Sequence, residues 1–346
     1  MLFVLVNANA LDEKKDAVSL DWYWIGALTS SSFRINLHFS TALKDEFFHF
    51  QIQKENENVD SNLHLLSTLN NIYHYEVTSL QPDTVYILQL SVNTTTLLSQ
   101  RITTAGAVNY TIAFSSCATA EGNASIFTTI ASHAPLAFFH LGDLHYGNLA
   151  TANLTAYRRA YDTLLTSEMG IHMSTMPTVY MFDDHDFGPD NSDKMAPGRK
   201  QALDTYREYV PHYPLDKHAD NVQNDVERYG GSVHQRFVLG QVLYLLTDLR
   251  SQRSPNIDVD SNTKTVLGKY QKTWFLEQIT TAMEDDTIHA IVWCNTMPWI
   301  DDERKWGQFK TEQNEIVSFL NKHRVLETLP MIILSGDAHM LAVDDG

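Results

Sequence analysis

The stretch Val179-Tyr-Met-Phe-Asp-Asp-His-Asp-Phe-Gly-Pro189 limits what this chain can become more than any other. Four β-forming residues run straight into Asp183, Asp184, His185 and Asp186, and Gly188-Pro189 then stops the run. Carboxylates and an imidazole at the end of an apolar strand are costly unless they are paired, solvated or bound to metal. Taken alone, an acidic surface turn would look the same. Three other apolar runs, however, end in side chains of the same kind. Tyr110–Cys117 delivers a thiol, and Leu136–Asp143 delivers a carboxylate with Tyr146 just beyond. Met331–His339 delivers Asp337 and His339.

From Asn109 onward such runs alternate with segments of helical spacing, the pattern of an α/β layered fold. Helices are expected over Thr155–Ser167, Arg199–Val210, Lys269–Met283 and Glu312–Leu320. A strand is expected over Thr178–Asp186, another over His289–Asn295, and a hairpin over Phe237–Asp248 that turns at Gly240-Gln241. In layered folds of this type ligands bind outside the carboxyl ends of the strands, so the four strand ends should share one site. A lone cysteine is more often a small buried hydrophobe. Four ligand-bearing strand ends together are harder to dismiss. Mixed Cys, Tyr, His and carboxylate donors suit transition metal, and this number of carboxylates suits more than one ion. Two neighbouring metals would bridge a hydroxide nucleophile and neutralise a phosphoryl group.

Before that region, from about Asp21 to Ala105, the pattern is all β. Phe33–Phe39, Phe48–Ile52 and Tyr86–Val92 alternate strictly between apolar and polar residues, and Ser79-Leu-Gln-Pro-Asp-Thr84 supplies turn chemistry between strands. A sandwich of immunoglobulin or fibronectin type is expected over 21–106, structural or recognitional in role, with its boundary near Thr104-Ala-Gly106.

The formal net charge of −17 argues against a nucleic-acid partner and against electrostatic docking on an anionic membrane. No apolar run reaches eighteen residues, so no transmembrane segment is expected. Met1–Val6 followed by Ala8-Asn-Ala10 reads as a shortened or wrongly started signal peptide within about residues 1–20. The glycosylation sequons at Asn93, Asn109, Asn123 and Asn153 agree with a secreted or vacuolar protein. With only Cys117 and Cys294, no disulfide framework is available, although these two could pair in an oxidising compartment.

Ser115-Ser-Cys117, Gly142-Asp-Leu-His-Tyr146, Phe182-Asp-Asp-His-Asp-Phe-Gly-Pro189 and Leu334-Ser-Gly-Asp-Ala-His-Met340 together resemble the PhoD-like alkaline phosphatases (alkaline phosphatase D), a branch of the metallophosphatases. Asp248-Leu-Arg250, Leu267–Trp274 and Pro298-Trp299 are lesser matches. The resemblance runs from about Ala113 to the C-terminus. It implies a two-sheet metallophosphatase sandwich flanked by helices over 107–346, preceded by the small fibronectin-like domain. The implied activity is hydrolysis of phosphate mono- or diesters by attack of a metal-bound hydroxide, with ferric iron and calcium in a dinuclear or multinuclear site. Carried onto this sequence, Cys117, Asp143 and Tyr146 would hold iron, with Asp143 bridging, and Asp184, Asp337 and His339 would complete the metal set. Asp184 and His185 are the catalytic candidates, His185 touching the phosphoryl group or protonating the leaving oxygen. His185, Asn191 and Arg250 would meet substrate. Asp190 stands where relatives often have asparagine, adding a negative charge beside the site. The chain ends at Gly346, whereas relatives usually continue with further strands, so the resemblance also implies a catalytic domain cut short. The alternative from another class is a secreted glycoprotein ectodomain in which a vestigial site serves as a binding module.

Overall fold

The structure is a computed structural model that describes residues 18–42, 48–54, 57–59, 62–118, 122–215, 231–300 and 305–344. The expected leader lies almost wholly outside these residues.

Eight strands open the chain: β1 Leu20–Gly26, β2 Phe33–Phe39, β3 Phe48–Lys54, β4 Glu57–Asn58, β5 Asn62–Leu69, β6 Ile72–Thr78, β7 Val85–Val92 and β8 Thr95–Thr103. They form two antiparallel four-stranded sheets, ordered β1-β2-β6-β5 and β4-β3-β7-β8. Period-two alternation sends Phe33, Ile35, Leu37 and Phe39 of β2 into a common core with Ile52, Leu88, Leu90 and Ile102. The polar positions of β2 do not simply meet solvent. Asn36 Nδ2 donates to the Tyr209 carbonyl at 3.0 Å, and Arg34 Nη1 to that of His212 at 2.8 Å. On β1, Trp22 and Trp24 turn away from the sandwich and join the core of the second part of the chain. Trp22 Nε1 donates to Asp162, and its ring stacks on Tyr209.

The second part is mixed α/β. Its elements are β9 Ile112–Ser115, α1 Ser125–Ser132, β10 Ala137–Leu141, α2 Leu154–Leu165, α3 Glu168–Met173, β11 Thr178–Met181, α4 Asp184–Phe187 and α5 Arg199–Tyr209. They continue as β12 Gln235–Leu239, β13 Val242–Leu246, α6 Lys269–Met283, β14 Ala290–Asn295, α7 Lys310–Lys322, α8 Val325–Thr328 and β15 Met331–Ser335. A parallel sheet is ordered β11-β10-β9. The other, β12-β13-β14-β15, contains the antiparallel hairpin β12–β13, and its remaining pairs are parallel. Phe139 on β10 packs against Tyr244 on β13 and Phe237 on β12, with ring centroids 5.1 and 6.1 Å away, which holds the sheets together. Helices α2 and α5 contribute Tyr157, Tyr161, Leu203 and Tyr206 to the same core, while Phe275, Ile279 and Ile316 from α6 and α7 cover the other side of the second sheet. Every residue of β10 and β11 is buried, as expected of parallel strands enclosed on both faces.

The expected strand over Thr178–Asp186 is shorter in the structure. β11 ends at Met181 and Asp184–Phe187 make one helical turn, closed by Phe187 and Gly188 N–H groups donating to the Asp183 and Asp184 carbonyls. The hairpin does turn at Gly240, which takes φ +57°. Cys117 and Cys294 are both free, and Cys294 is fully buried. Among the described residues no helix is long and apolar enough to cross a membrane. All four sequon asparagines are exposed.

Candidate metal centre

β9, β10, β11 and β15 run parallel within their sheets, and the four ligand-bearing segments leave their carboxyl ends. Two glycines permit the close convergence. Gly142 takes φ +90° and has no room for a Cβ against Asp183, while a Cβ on Gly336 would strike the Leu141 carbonyl and Ser116. Beyond the strands, Cys117, Asp143, Tyr146, Asn148, Asp337 and His339 all adopt left-handed φ between 49° and 61°. Such conformations cost L-residues about 1–2 kcal/mol each and tend to collect where a site must aim its side chains.

Asp143 is the hub. Its Oδ2 lies 3.8 Å from Cys117 Sγ, and Tyr146 reaches His339, hydroxyl to Nε2, at 3.4 Å. On the other side, carboxylate oxygens of Asp143, Asp183, Asp184 and Asp337 lie within 4.8 Å of one another, and so do donor atoms of Asp143, Asp184 and His185. The His185 ring stacks on Tyr146 with centroids 4.8 Å apart, and its backbone N–H donates to Asp143 Oδ1 at 3.3 Å. The sequence motifs thus converge as two groups of donors around one carboxylate.

The residues around these donors divide the carboxylates of the Asp-Asp-His-Asp run by task. Asp183 accepts Arg250 Nε and Nη2 at 2.5 and 2.8 Å and the Thr296 hydroxyl at 2.8 Å. Asp186 does not face the donor cluster. It accepts the backbone N–H groups of Leu144, His145 and Tyr146 at 2.8–3.3 Å and the Tyr180 hydroxyl at 2.9 Å. It therefore fixes the loop that carries Asp143 and Tyr146, so the three carboxylates do not share one cavity. Asp184 accepts the Asn191 N–H through Oδ2, whereas its buried Oδ1 accepts no hydrogen bond and has Arg250 Nη2 3.4 Å away. Arg250 is fully buried, with Asp337 Oδ2 4.0 Å away, so it sits behind the carboxylates. Asn191 is half-buried and its amide donates to Asp190.

Several participants carry no sequence signal. Lys305 forms an ion pair with Asp337, and Thr296 reaches Asp183, yet neither belongs to a recognisable spacing. Asn148, two residues after Tyr146, lies 2.5 Å from His185 Nδ1. Its place just beyond the Gly142–Tyr146 motif was the one clue available.

The charge balance fits a cation. Burial, and then Asp183, Asp186 and Asp184, push the Asp143 carboxyl up to about 9 against the pull of Arg250. Burial pushes the Cys117 thiol up to about 11, with Asp143 adding to it, and raises the Tyr146 phenol in the same way. Burial would raise Asp184 as well, but Arg250, the Asn191 N–H, His185 and Lys305 outweigh it and hold that group at about 2. With protein groups alone, the hub must keep a proton beside its ionised neighbour. A metal ion relieves that crowding, and the mixed donor set with an unsatisfied Asp184 oxygen suits one.

A solved structure titled "Structure of PhoD" superposes with a TM-score of 0.73 at 17% identity, covering 92% of this chain and 71% of that one. At that identity the likeness establishes the fold. No curated protein gives a match. A family model described as PhoD-like phosphatase matches residues 112–346, the stretch that holds every donor named above. The chain belongs to the PhoD-like phosphatase family.

Proposed function

We propose that this chain is a metal-dependent phosphoesterase that hydrolyses phosphate mono- or diesters. The observation that carries the reading is the pair of donor groups around Asp143, with the His185 ring at their margin, at the strand ends of a family of phosphatases. Cys117, Asp143, Tyr146 and His339 would hold one ion, and Asp184 and Asp337, with Asp143 shared, the other. Iron and calcium are the metals that the resemblance implies. Bound metal would neutralise the phosphoryl charge and lower the pKa of a water molecule. Arg250 and Lys305 hold Asp183, Asp184 and Asp337 in register for those ions. Asp186 fixes the loop of Asp143 and Tyr146. His185 Nε2 meets the phosphoryl group or gives a proton to the leaving oxygen, with Asn191 as a further substrate-side candidate. Arg250, expected to meet substrate, is instead fully buried behind the carboxylates and acts through them. The immunoglobulin- or fibronectin-like sandwich over 21–106 would be a support for the catalytic domain over 107–346, and the exposed sequons favour a secretory route.

His185→Ala tests the reading. It should keep its metals and lose roughly 10²-fold in turnover of an alkyl phosphate, whose poor leaving group needs a proton. An aryl phosphate should suffer less. Full turnover of both esters would remove His185 from the chemistry.

A further inference from the structure

We propose that Asn148 is a positioning residue that fixes the tautomer of His185 and so leaves Nε2 as the nitrogen that meets substrate. This rests on the catalytic reading of His185 given above. Asn148 lies at a left-handed φ of 49°, which asparagine tolerates better than most residues. Its Nδ2 donates to the Tyr146 carbonyl at 2.9 Å. A carbonyl oxygen only accepts, so the amide nitrogen must face it, and the amide oxygen is therefore the atom turned toward His185. That oxygen lies 2.5 Å from His185 Nδ1. Because it cannot donate, Nδ1 must carry the hydrogen. The neutral ring then holds its lone pair on Nε2. When protonated, the ring offers its second N–H from the same atom.

The remaining contacts keep this arrangement in place. The Asn148 backbone N–H donates to the His185 carbonyl at 2.9 Å, so the two residues are joined at both main chain and side chain. Tyr146 covers one face of the ring, which limits its rotation about χ2. Nε2 points toward the exposed carboxylate of Asp190, 3.7 Å away, on the accessible side. Tyr146 thus contributes to the donor cluster, packs the imidazole and orients the amide that sets the imidazole's tautomer. The same short loop that carries the ligands also sets the proton on the histidine.

Asn148→Gly and Asn148→Asp separate this role from a structural one. Glycine removes the amide while suiting the left-handed backbone and keeping the N–H bond to His185. Aspartate restores an acceptor at Nδ1. In ¹⁵N-labelled metal-free protein, the His185 ring should report the Nδ1–H form in the parent and in Asn148→Asp, and a shift toward Nε2–H in Asn148→Gly. Asn148→Gly should lose about tenfold in alkyl phosphate turnover, with unchanged metal content and a smaller loss on an aryl phosphate. Asn148→Asp should recover most of it. His185→Ala combined with Asn148→Gly should be no slower than His185→Ala alone. An Nε2–H ring in the parent, parent-like turnover by Asn148→Gly, or losses that multiply in the double variant would each overturn the inference. If His185→Ala turns over normally, the catalytic reading falls as well. If only Asn148→Gly is unimpaired, this inference alone falls.

Discussion

Asp186 shows how far a residue's identity and its task can diverge. It belongs to the acidic run that marks the site, yet it serves the backbone of the neighbouring loop. Adjacent positions carry no information on which way each side chain turns, so the sequence names the acidic run as a whole and does not separate Asp186 from its neighbours. Asp184, His185, Cys117, Asp143, Tyr146, Asp337 and His339 were legible because each ends an apolar run. Arg250 could be named, but not its burial against Asp183, a partner 67 positions away. Asp186→Asn keeps the size but has only one acceptor oxygen for several N–H donors. It should cost roughly 1–3 kcal/mol of stability and about 10–100-fold in metal affinity. Denaturant unfolding and metal titration would check both. Unchanged metal affinity would show that the loop holds itself.

At the scale of elements, the helix expected over Lys269–Met283 matches α6 at both ends, because Gly268 precedes it and its apolar positions keep helical spacing. The strand leading into the acidic run overshot. Nothing local distinguishes an acidic strand end from a helical turn. Contacts from the loops that follow β10 and β13 accompany the turn here, Leu144, His145 and Tyr146 on Asp186 and Arg250 on Asp183. β10 holds another feature that alternation could not foretell. His140 is fully buried between Phe138 and Tyr180, and neither ring nitrogen has a hydrogen-bond partner among the described residues. Burial, opposed by Asp186, brings this histidine down to about 4. The unfolded chain takes up that proton near pH 6.5, but the folded chain does so only near 4. Its contribution is therefore complete above pH 6.5 and declines as pH falls toward 4. His140→Phe should gain about 2 kcal/mol on the parent between about pH 7.5 and about pH 5, read from urea unfolding at the two values. A constant difference would mean that the fold does not depress the pKa of this histidine.

The whole molecule carries a net charge of −17, while its site is meant for an anion. Local cations, Arg250 and Lys305 with any bound metal, must act against that field. Raising ionic strength from about 0.01 M to about 0.15 M shortens the screening length from about 30 Å to about 8 Å. Catalytic efficiency on a small phosphate dianion should therefore rise a few-fold with an inert salt. A steep fall would mean that a local positive funnel dominates. The architecture also ties its two parts together: Trp22, Arg34 and Asn36 fasten the first β sheet to α2 and to the end of α5. Alternation alone would have left Arg34 and Asn36 in solvent.

On the proposed function, metal held around Asp143 carries out phosphoester hydrolysis. The most direct measurement is elemental analysis and visible absorbance, alongside aryl phosphate turnover, of the parent protein and Asp143→Ala. The parent should carry more than one metal ion per chain, iron among them with a tyrosinate absorption band, and should hydrolyse the ester. Asp143→Ala should remain folded and lose metal and turnover together. Full turnover by metal-free parent protein, or undiminished metal and rate in Asp143→Ala, would contradict the account.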